Sequence, residues 1–464
     1  MCSLHNRIYF LGASQGSHWA LAFALLFSLF RIDIAPAKEF TVIQISDEKM
    51  YNREPVIGET GLAAWSAYVN NDKGEVGSEI YVYTNGTPSS ITQGQVGAPK
   101  SNIKPEIQSN IVVWSGTFQG LGDSDVDWVL REVPEDNSPV KELDATYNIR
   151  IDKDGKQVFE KSSSVSSSEN TNGLTAEASG STNAPAASTN EIPAPQDTSR
   201  RTPSGDAEIC RWDSDLAIEF KRLSHDARND LAPSVWGQLV SWQKAKGWPF
   251  GWEIMIWNDG VQQQLTTNYY YDMAPKVHKD RVVWYGWDGH DFEIYLYDTL
   301  GGVSQITSNQ YDDVSPVIWG DTLAWEGYAG VDADVFIWKE GKIQKVSDNI
   351  EDDLNPRVWN GQVVWQGFDG DDFEIYLYDG VKTIKLTSNT YDDVNPHIQD
   401  DLICWMGYFD NWDSEIFVWD GGPQAIRLTD NEFEERDPRT GKGMVVWQSD
   451  QQGKSLIYLA SPKN

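Results

Sequence analysis

Two short stretches concentrate the chain's chemistry: Asp288-Gly289-His290-Asp291-Phe292-Glu293 and Asp369-Gly370-Asp371-Asp372-Phe373-Glu374. Each gathers carboxylates around a glycine turn. Hard oxygen donors so grouped suit Ca²⁺, which takes six to eight oxygens. The candidate metal ligands are Asp288, Asp291, Glu293, Asp369, Asp371, Asp372 and Glu374. The twelve-residue pattern of an EF-hand is missing. A structural reading stands beside the metal one, because Asp before a turn bonds nearby backbone amides and Asp-Gly reverses the chain. No cysteine–histidine cluster points to zinc.

Aromatic residues accompany the acids: Trp248, Trp287, Tyr328, Phe368, Tyr408 and Trp412. Aromatic faces stack on sugars, and cationic side chains lie over rings beside carboxylates. These six are the candidate ligand-binding residues. Catalysis finds less support. A lyase needs a base with a Tyr or Arg, and usually a cation. Beyond the first 37 residues the histidines are His225, His278, His290 and His397. His290 and His397 are expected near the acids, whereas His278 reads as a strand residue. Tyr271, Tyr311 and Tyr391 recur with the repeat described below, which favours packing. The only G-x-S-x-G match, Gly12 to Gly16, lies in the leader. Only Lys244–Trp252 (KAKGWPFGW), basic and aromatic, clearly breaks the pattern.

The acids and rings are positioned by a unit of about 41 residues that recurs eight times. Each copy has a proline: Pro55, Pro105, Pro233, Pro275, Pro316, Pro356, Pro396 and Pro438. A tryptophan follows nine or ten residues later: Trp65, Trp114, Trp242, Trp284, Trp325, Trp365, Trp405 and Trp447. From Pro233 the proline steps are 42, 41, 40, 40 and 42. Within a copy, short runs rich in Val, Ile, Trp and Tyr are bounded by Gly, Asp and Asn, which is the strand signature. No run shows helical spacing over three turns. Four antiparallel strands per unit form a β-propeller blade, so the expected fold is all-β and eight-bladed. The repeated Trp reads as core between blades. Seven blades plus an irregular segment is the alternative count, since the first two copies diverge most. In a four-stranded meander the loop leading into strand one and the loop after strand two share one side of the ring. The leading loops bring Asp272, Asp312, Asp313, Asp352, Asp353, Asp392, Asp393, Glu434 and Glu435 to that side. The loops after strand two add Asp332, Asp334, Asp410, Asp413 and Glu415, so one face is expected to be strongly acidic.

The last copy stops after SLIYLAS (455–461), and EFTVIQISD (39–47) matches the fourth strand of other copies. The N-terminal strand is therefore expected to complete the last blade and remove two open sheet edges. Before it, residues 1–37 combine Arg7, an apolar run from Ala20 to Phe30 and Ala35-Pro36-Ala37, the pattern of a cleaved secretory signal. An uncleaved anchor is the alternative. No later stretch is apolar enough to span a bilayer. The propeller is expected over 38–464, interrupted at 132–215. In that interruption, YNIRIDKDGKQVFEK (147–161) reads as a hairpin, and 162–200 is Ser, Thr, Asn, Ala and Pro rich and expected to be disordered. The interruption is placed between the third and fourth strands of the second blade, with AIEFKRLSHD (217–226) as the fourth.

The formal net charge of −33 disfavours nucleic acid and favours cations or basic partners. The leader aside, only Cys210 and Cys404 remain, too few for a disulfide framework.

The string L-T, D-x-x-P, an apolar strand ending in Trp, a Gly/Asp loop and E-I-Y-x-Y-D resembles the TolB-type propeller repeat. LTSNTYDDVNP and FDGDDFEIYLYDG carry it most clearly. The resemblance covers 39–131 and 217–461 and implies the fold rather than an activity. TolB-type propellers include an exported partner of an outer-membrane lipoprotein, with an extra N-terminal α/β domain that this sequence lacks. Similar propellers occur in some polysaccharide lyases and ahead of prolyl-oligopeptidase-type hydrolase domains, and no such domain follows here. The expectation is a periplasmic or secreted, monomeric, non-enzymatic binding module. It would recognise an envelope or extracellular protein or a glycan, with Ca²⁺ as the only cofactor in view. A cation-assisted polysaccharide lyase and an architectural envelope component are the alternatives.

Overall fold

In five of the eight copies the repeated Trp and an Asp of strand one lock two strands together, and that pairing recurs through the computed structural model. The structure describes residues 38–70, 76–84, 86–93, 101–117, 147–151, 157–161, 206–216, 221–225, 228–246, 251–347, 349–409 and 413–463. The chain forms eight four-stranded antiparallel blades: I (51–90), II (101–222), III (230–264), IV (272–305), V (313–345), VI (353–385), VII (393–427) and VIII (434–462 with 40–44). Blade IV has strands Asp272–His278, Arg281–Trp287, Phe292–Asp298 and Gly302–Gln305. Blade VI has Asp353–Trp359, Gln362–Phe368, Phe373–Tyr378 and Thr383–Lys385. The first strand of every blade touches the first strands of both neighbours, so these strands line a closed central channel.

Closure occurs as the sequence implies. Phe40–Gln44 pairs antiparallel with Lys454–Pro462, from Phe40 opposite Pro462 to Gln44 opposite Tyr458. Trp65 of blade I then packs on Val446, Ile457 and Leu459 of blade VIII. Between blades IV and V, Trp325 packs with Val283, Ile294 and Leu296. All eight repeated tryptophans are fully buried. At ~25 cal/mol per Å², each buried indole contributes several kcal/mol.

A buried indole also needs an acceptor, and strand one supplies it in seven of the eight blades, Trp447 Nε1 of the last being without one. Trp284 Nε1 donates to Asp272 at 3.0 Å, Trp325 to Asp313 at 2.7 Å, Trp365 to Asp353 at 2.6 Å and Trp405 to Asp393 at 2.8 Å. Asp230, Asn102 and Asn52 serve the same role in blades III, II and I. The residue before each repeated proline has a positive φ, from Glu54 at 57° to Asp437 at 50°, and the strand-one register shifts there. Proline suits such a bulge because it has no N–H to give to the ladder. The preceding residue's freed N–H bonds to the neighbouring blade: Ala274 donates to Gln243, Asn355 to Glu326 and Asn395 to Gln366.

The interruption sits elsewhere than expected. The third strand of blade II is Ala207–Asp213, paired with Ile111–Thr117 on one side and Lys221–Arg222 on the other. The break therefore falls between the second and third strands, and the last residues of the 132–215 interval belong to the propeller. AEICRWD supplies that strand, with its first five residues buried. Tyr147–Ile151 and Gln157–Lys161 pair as the expected hairpin. The leader and residues 162–200 lie outside the described residues. Among those described, no helix is long and apolar enough to cross a membrane.

Candidate cation site and the acidic face

Strand-two loops and leading loops do share a side. Trp287 N–H donates to the Tyr271 carbonyl at 2.9 Å, Tyr328 to Asp312 at 2.9 Å, Phe368 to Asp352 at 2.8 Å and Tyr408 to Asp392 at 2.8 Å. Many of the acids there are already committed. Asp272, Asp313, Asp353 and Asp393 accept from the indoles, and their second oxygens accept from Asn268, Asn309, Asn349 and Asn389. Asp312, Asp352 and Asp392 accept backbone N–H groups of Phe292, Ala333 and Phe373 in the preceding blade. For these leading-loop residues the structural role is therefore plain. Burial pushes Asp313, Asp353 and Asp393 up to about 7.

The two Gly/Asp loops behave differently, each drawing three carboxylates together. Oxygens of Asp288, Asp291 and Glu293 lie within 4.8 Å of one another, as do those of Asp369, Asp372 and Glu374. Asp371 is exposed and stays outside its cluster; His290 holds that place in blade IV, 3.8 Å from Asp288 and exposed. The turn is the same in both. Asp288 Oδ1 accepts the N–H of His290 at 2.8 Å, and Asp369 Oδ1 accepts that of Asp371 at 3.0 Å. Gly289 and Gly370 turn the chain at φ of 116° and 104°, where a side chain is strained. Glu293 Oε1 accepts Asn309 N–H at 2.7 Å, and Glu374 Oε1 accepts Asn389 N–H at 2.9 Å.

One residue separates them. In blade VI, Lys385 Nζ lies 2.6 Å from Asp369 and 3.3 Å from Glu374. Lys385 stands opposite Tyr376 in the ladder, and the equivalent residue opposite Tyr295 in blade IV is Gln305. The titrations follow. Lys385 and two backbone amides hold Asp369 down to about 2. Burial, with Glu293, Asp288 and Asp312 adding their charges, pushes Asp291 up to about 6.

The expected ligand-binding aromatics are half-buried packing residues. Trp287 meets Phe292 edge-on at 5.2 Å, and Phe368 meets Phe373 at 5.3 Å. Tyr328 and Tyr408 are half-buried, and burial raises the pKa of both. Trp248 and Trp412 lie outside the described residues. The exposed rings are consecutive tyrosines: Tyr269 is 81% exposed, Tyr270 41% and Tyr271 46%. They lead into blade IV, where other copies have residues such as Gln310, Thr390 and Glu432 at the first position. The irregular loop of blade III reaches them, since Lys246 Nζ bonds the carbonyls of Asn268 at 2.5 Å and Tyr270 at 2.9 Å. Tyr270 also lies against the Gly289 turn. Setting the leading loops side by side is the signal that finds these tyrosines.

His278 is a packed strand residue, between Trp236 and Trp319 at 4.1 and 4.4 Å, with burial pushing it down to about 4. His397 is not beside the acidic loops; it lines a channel cavity of about 390 Å³ together with Arg439, Lys104, Glu54, Glu106 and Asp437. Its position just after Pro396 places it on the innermost strand. Burial, then Arg439 and Arg357, lower its pKa well below the usual range. Its Nδ1 accepts Thr440 N–H at 3.2 Å, which leaves the proton of the neutral ring on Nε2. His397 is thus a hydrogen-bond donor to the cavity rather than a base. Cys210 and Cys404 are buried free thiols.

Sheet order, channel and ring closure define the class: this is a β-propeller. No protein-family model and no curated protein matches the chain. Solved structures similar to it are propellers. The β-propeller domain of the Trilobed protease from Pyrococcus furiosus is 10% identical, with a TM-score of 0.47 over 78% of this chain and 93% of that one. The computationally designed Ika8 protein is 11% identical, with a TM-score of 0.49 over 89% and 98%. A putative TolB from Agrobacterium tumefaciens is 12% identical, with a TM-score of 0.34 over 53% and 95%.

Proposed function

We propose that the protein is an exported, non-enzymatic binding module that recognises a glycan on its acidic, aromatic face. The observation that carries this reading is the run Tyr269–Tyr271, exposed beside the Asp288 loop. In it Tyr270 is the counterpart of Tyr311 and Tyr391, while Tyr271 stands where other copies have Asp312, Asp352 and Asp392. Packed rings need no exposure, and three consecutive exposed tyrosines offer flat apolar faces with polar tips, the surface a sugar ring stacks on. A purely electrostatic partner such as a basic peptide is less well served, because many acids on the face are bonded to the protein's own amides and indoles. The donor state of His397 favours binding over β-elimination, which needs a base.

Affinity electrophoresis of the full chain through neutral, amino-sugar and uronic-acid polysaccharides tests this. Retardation by one class is expected, weakened roughly tenfold in a Tyr269→Ala/Tyr270→Ala variant, about 1.4 kcal/mol. Indifference to every polysaccharide, or equal retardation of the variant, would overturn the reading. Unsaturated product from the uronic-acid polymer would replace it with a lyase.

A further inference from the structure

We infer that the ring carries one divalent-cation site, at Asp288, Asp291 and Glu293 of blade IV, and that Lys385 occupies the matching position of blade VI as a tethered internal cation.

The repeat provides its own controls. Glu79, Glu208, Glu253, Glu293, Asp334, Glu374 and Glu415 share one position in the third strand of their blades, and all but the half-buried Glu79 are buried. Five have a basic side chain against them. Arg222 pairs with Glu208, Lys246 with Glu253 at 2.6 Å and Lys345 with Asp334 at 2.6 Å. Lys385 pairs with Glu374 at 3.3 Å and Arg427 with Glu415 at 2.9 Å. Glu79 and Glu293 have no Lys or Arg within 4.0 Å among the described residues, and of these two only Glu293 lies in a loop that brings two further carboxylates beside it.

The oxygens converge, and two of them are unsatisfied. Asp291 is 7% exposed and Glu293 0%. Asp291 Oδ1 and Glu293 Oε2 are buried without a hydrogen-bond partner. A buried carboxylate without a counterion is costly, and the other five buried copies avoid that by placing a cation beside theirs. A hard divalent ion of the Ca²⁺ class supplies the same charge in blade IV, with water and backbone carbonyls completing its shell. In blade VI the ammonium already lies between Asp369 and Glu374, so an ion entering there must first displace it.

This inference does not depend on glycan recognition, and its test reads the ion alone. Tb³⁺ luminescence sensitised by nearby indoles, and calorimetric titration with Ca²⁺, are run on the full chain at about 0.15 M salt to screen diffuse attraction. Saturation at one ion per chain is expected. Gln305→Lys, which copies blade VI into blade IV, should weaken binding roughly tenfold or more while circular dichroism stays unchanged. Asp291→Asn gives the same loss without adding a long side chain. Lys385→Gln should raise the stoichiometry to two. Absence of saturable binding by the wild type, two ions in the wild type, or wild-type binding by both Gln305→Lys and Asp291→Asn would overturn the inference.

Discussion

Blades IV and VI hold nearly the same loop in the same turn. In blade VI two of the three carboxylates pair with Lys385; in blade IV the three carboxylates have no Lys or Arg beside them among the described residues. The loop sequence did not set the difference. It comes from the fourth strand, twelve residues after Glu293 and eleven after Glu374. A repeat protein can therefore keep its fold and vary its chemistry one edge residue at a time, because the fourth strand contributes little to the core but passes close to the buried acid.

The largest effects should fall on what the two blades share. Trp284→Ala and Trp365→Ala should each cost about 4 kcal/mol in denaturant unfolding, from lost burial and an orphaned Asp272 or Asp353. Unequal losses would show that the blades differ in their frames and not only in their acids.

Lys385→Gln should come next, destabilising the protein by about 2 kcal/mol in chelator, since Lys385 is partly exposed. Millimolar Ca²⁺ should restore most of that in a thermal melt. A loss that Ca²⁺ leaves untouched would separate the two blades more sharply than the comparison allows.

Smaller and of opposite sign are the glutamate-to-glutamine changes. In chelator, Glu293→Gln should stabilise by about 1 kcal/mol by removing a buried charge that Asp288 also repels. Glu374→Gln should destabilise by about as much by taking a partner from Lys385. Equal signs in chemical melts would contradict the contrast.

The smallest signal is in pH. Asp291, raised to about 6, holds its proton better folded than unfolded. Its contribution is complete below about pH 4 and is lost as pH rises through about 6. Asp369, lowered to about 2, contributes fully above about pH 4 and loses that as pH falls through about 2. Melting temperature against pH, in chelator, should therefore flatten between about 4 and 6 in Asp291→Asn and lose its gain above about 4 in Asp369→Asn.

Much of this was readable along the chain. The period, the blade, the closing strand at residues 39–47 and the hairpin at 147–161 all follow from local patterns, and the structure pairs those segments accordingly. The two Gly/Asp loops were also visible, because their donors are adjacent in sequence. The leading-loop acids were not separable in that way. Asp312 and Asp313 are neighbours of one type, yet Asp312 holds the Phe292 amide of the preceding blade and Asp313 holds an indole in its own. The break in blade II was misplaced for a similar reason, since only the pairing of Ala207–Asp213 with Ile111–Thr117 shows that the third strand follows the break.

Sequence alone determined which strands form and that they recur, because alternation of apolar side chains and turn residues acts over a few positions. Tertiary structure decided which carboxylates remain free, where His397 points and whether a buried acid meets Lys385 or Gln305. Those outcomes depend on separations of about 3 Å between groups on different strands, the range over which hydrogen bonds and ion pairs act. Only the closed ring sets those separations.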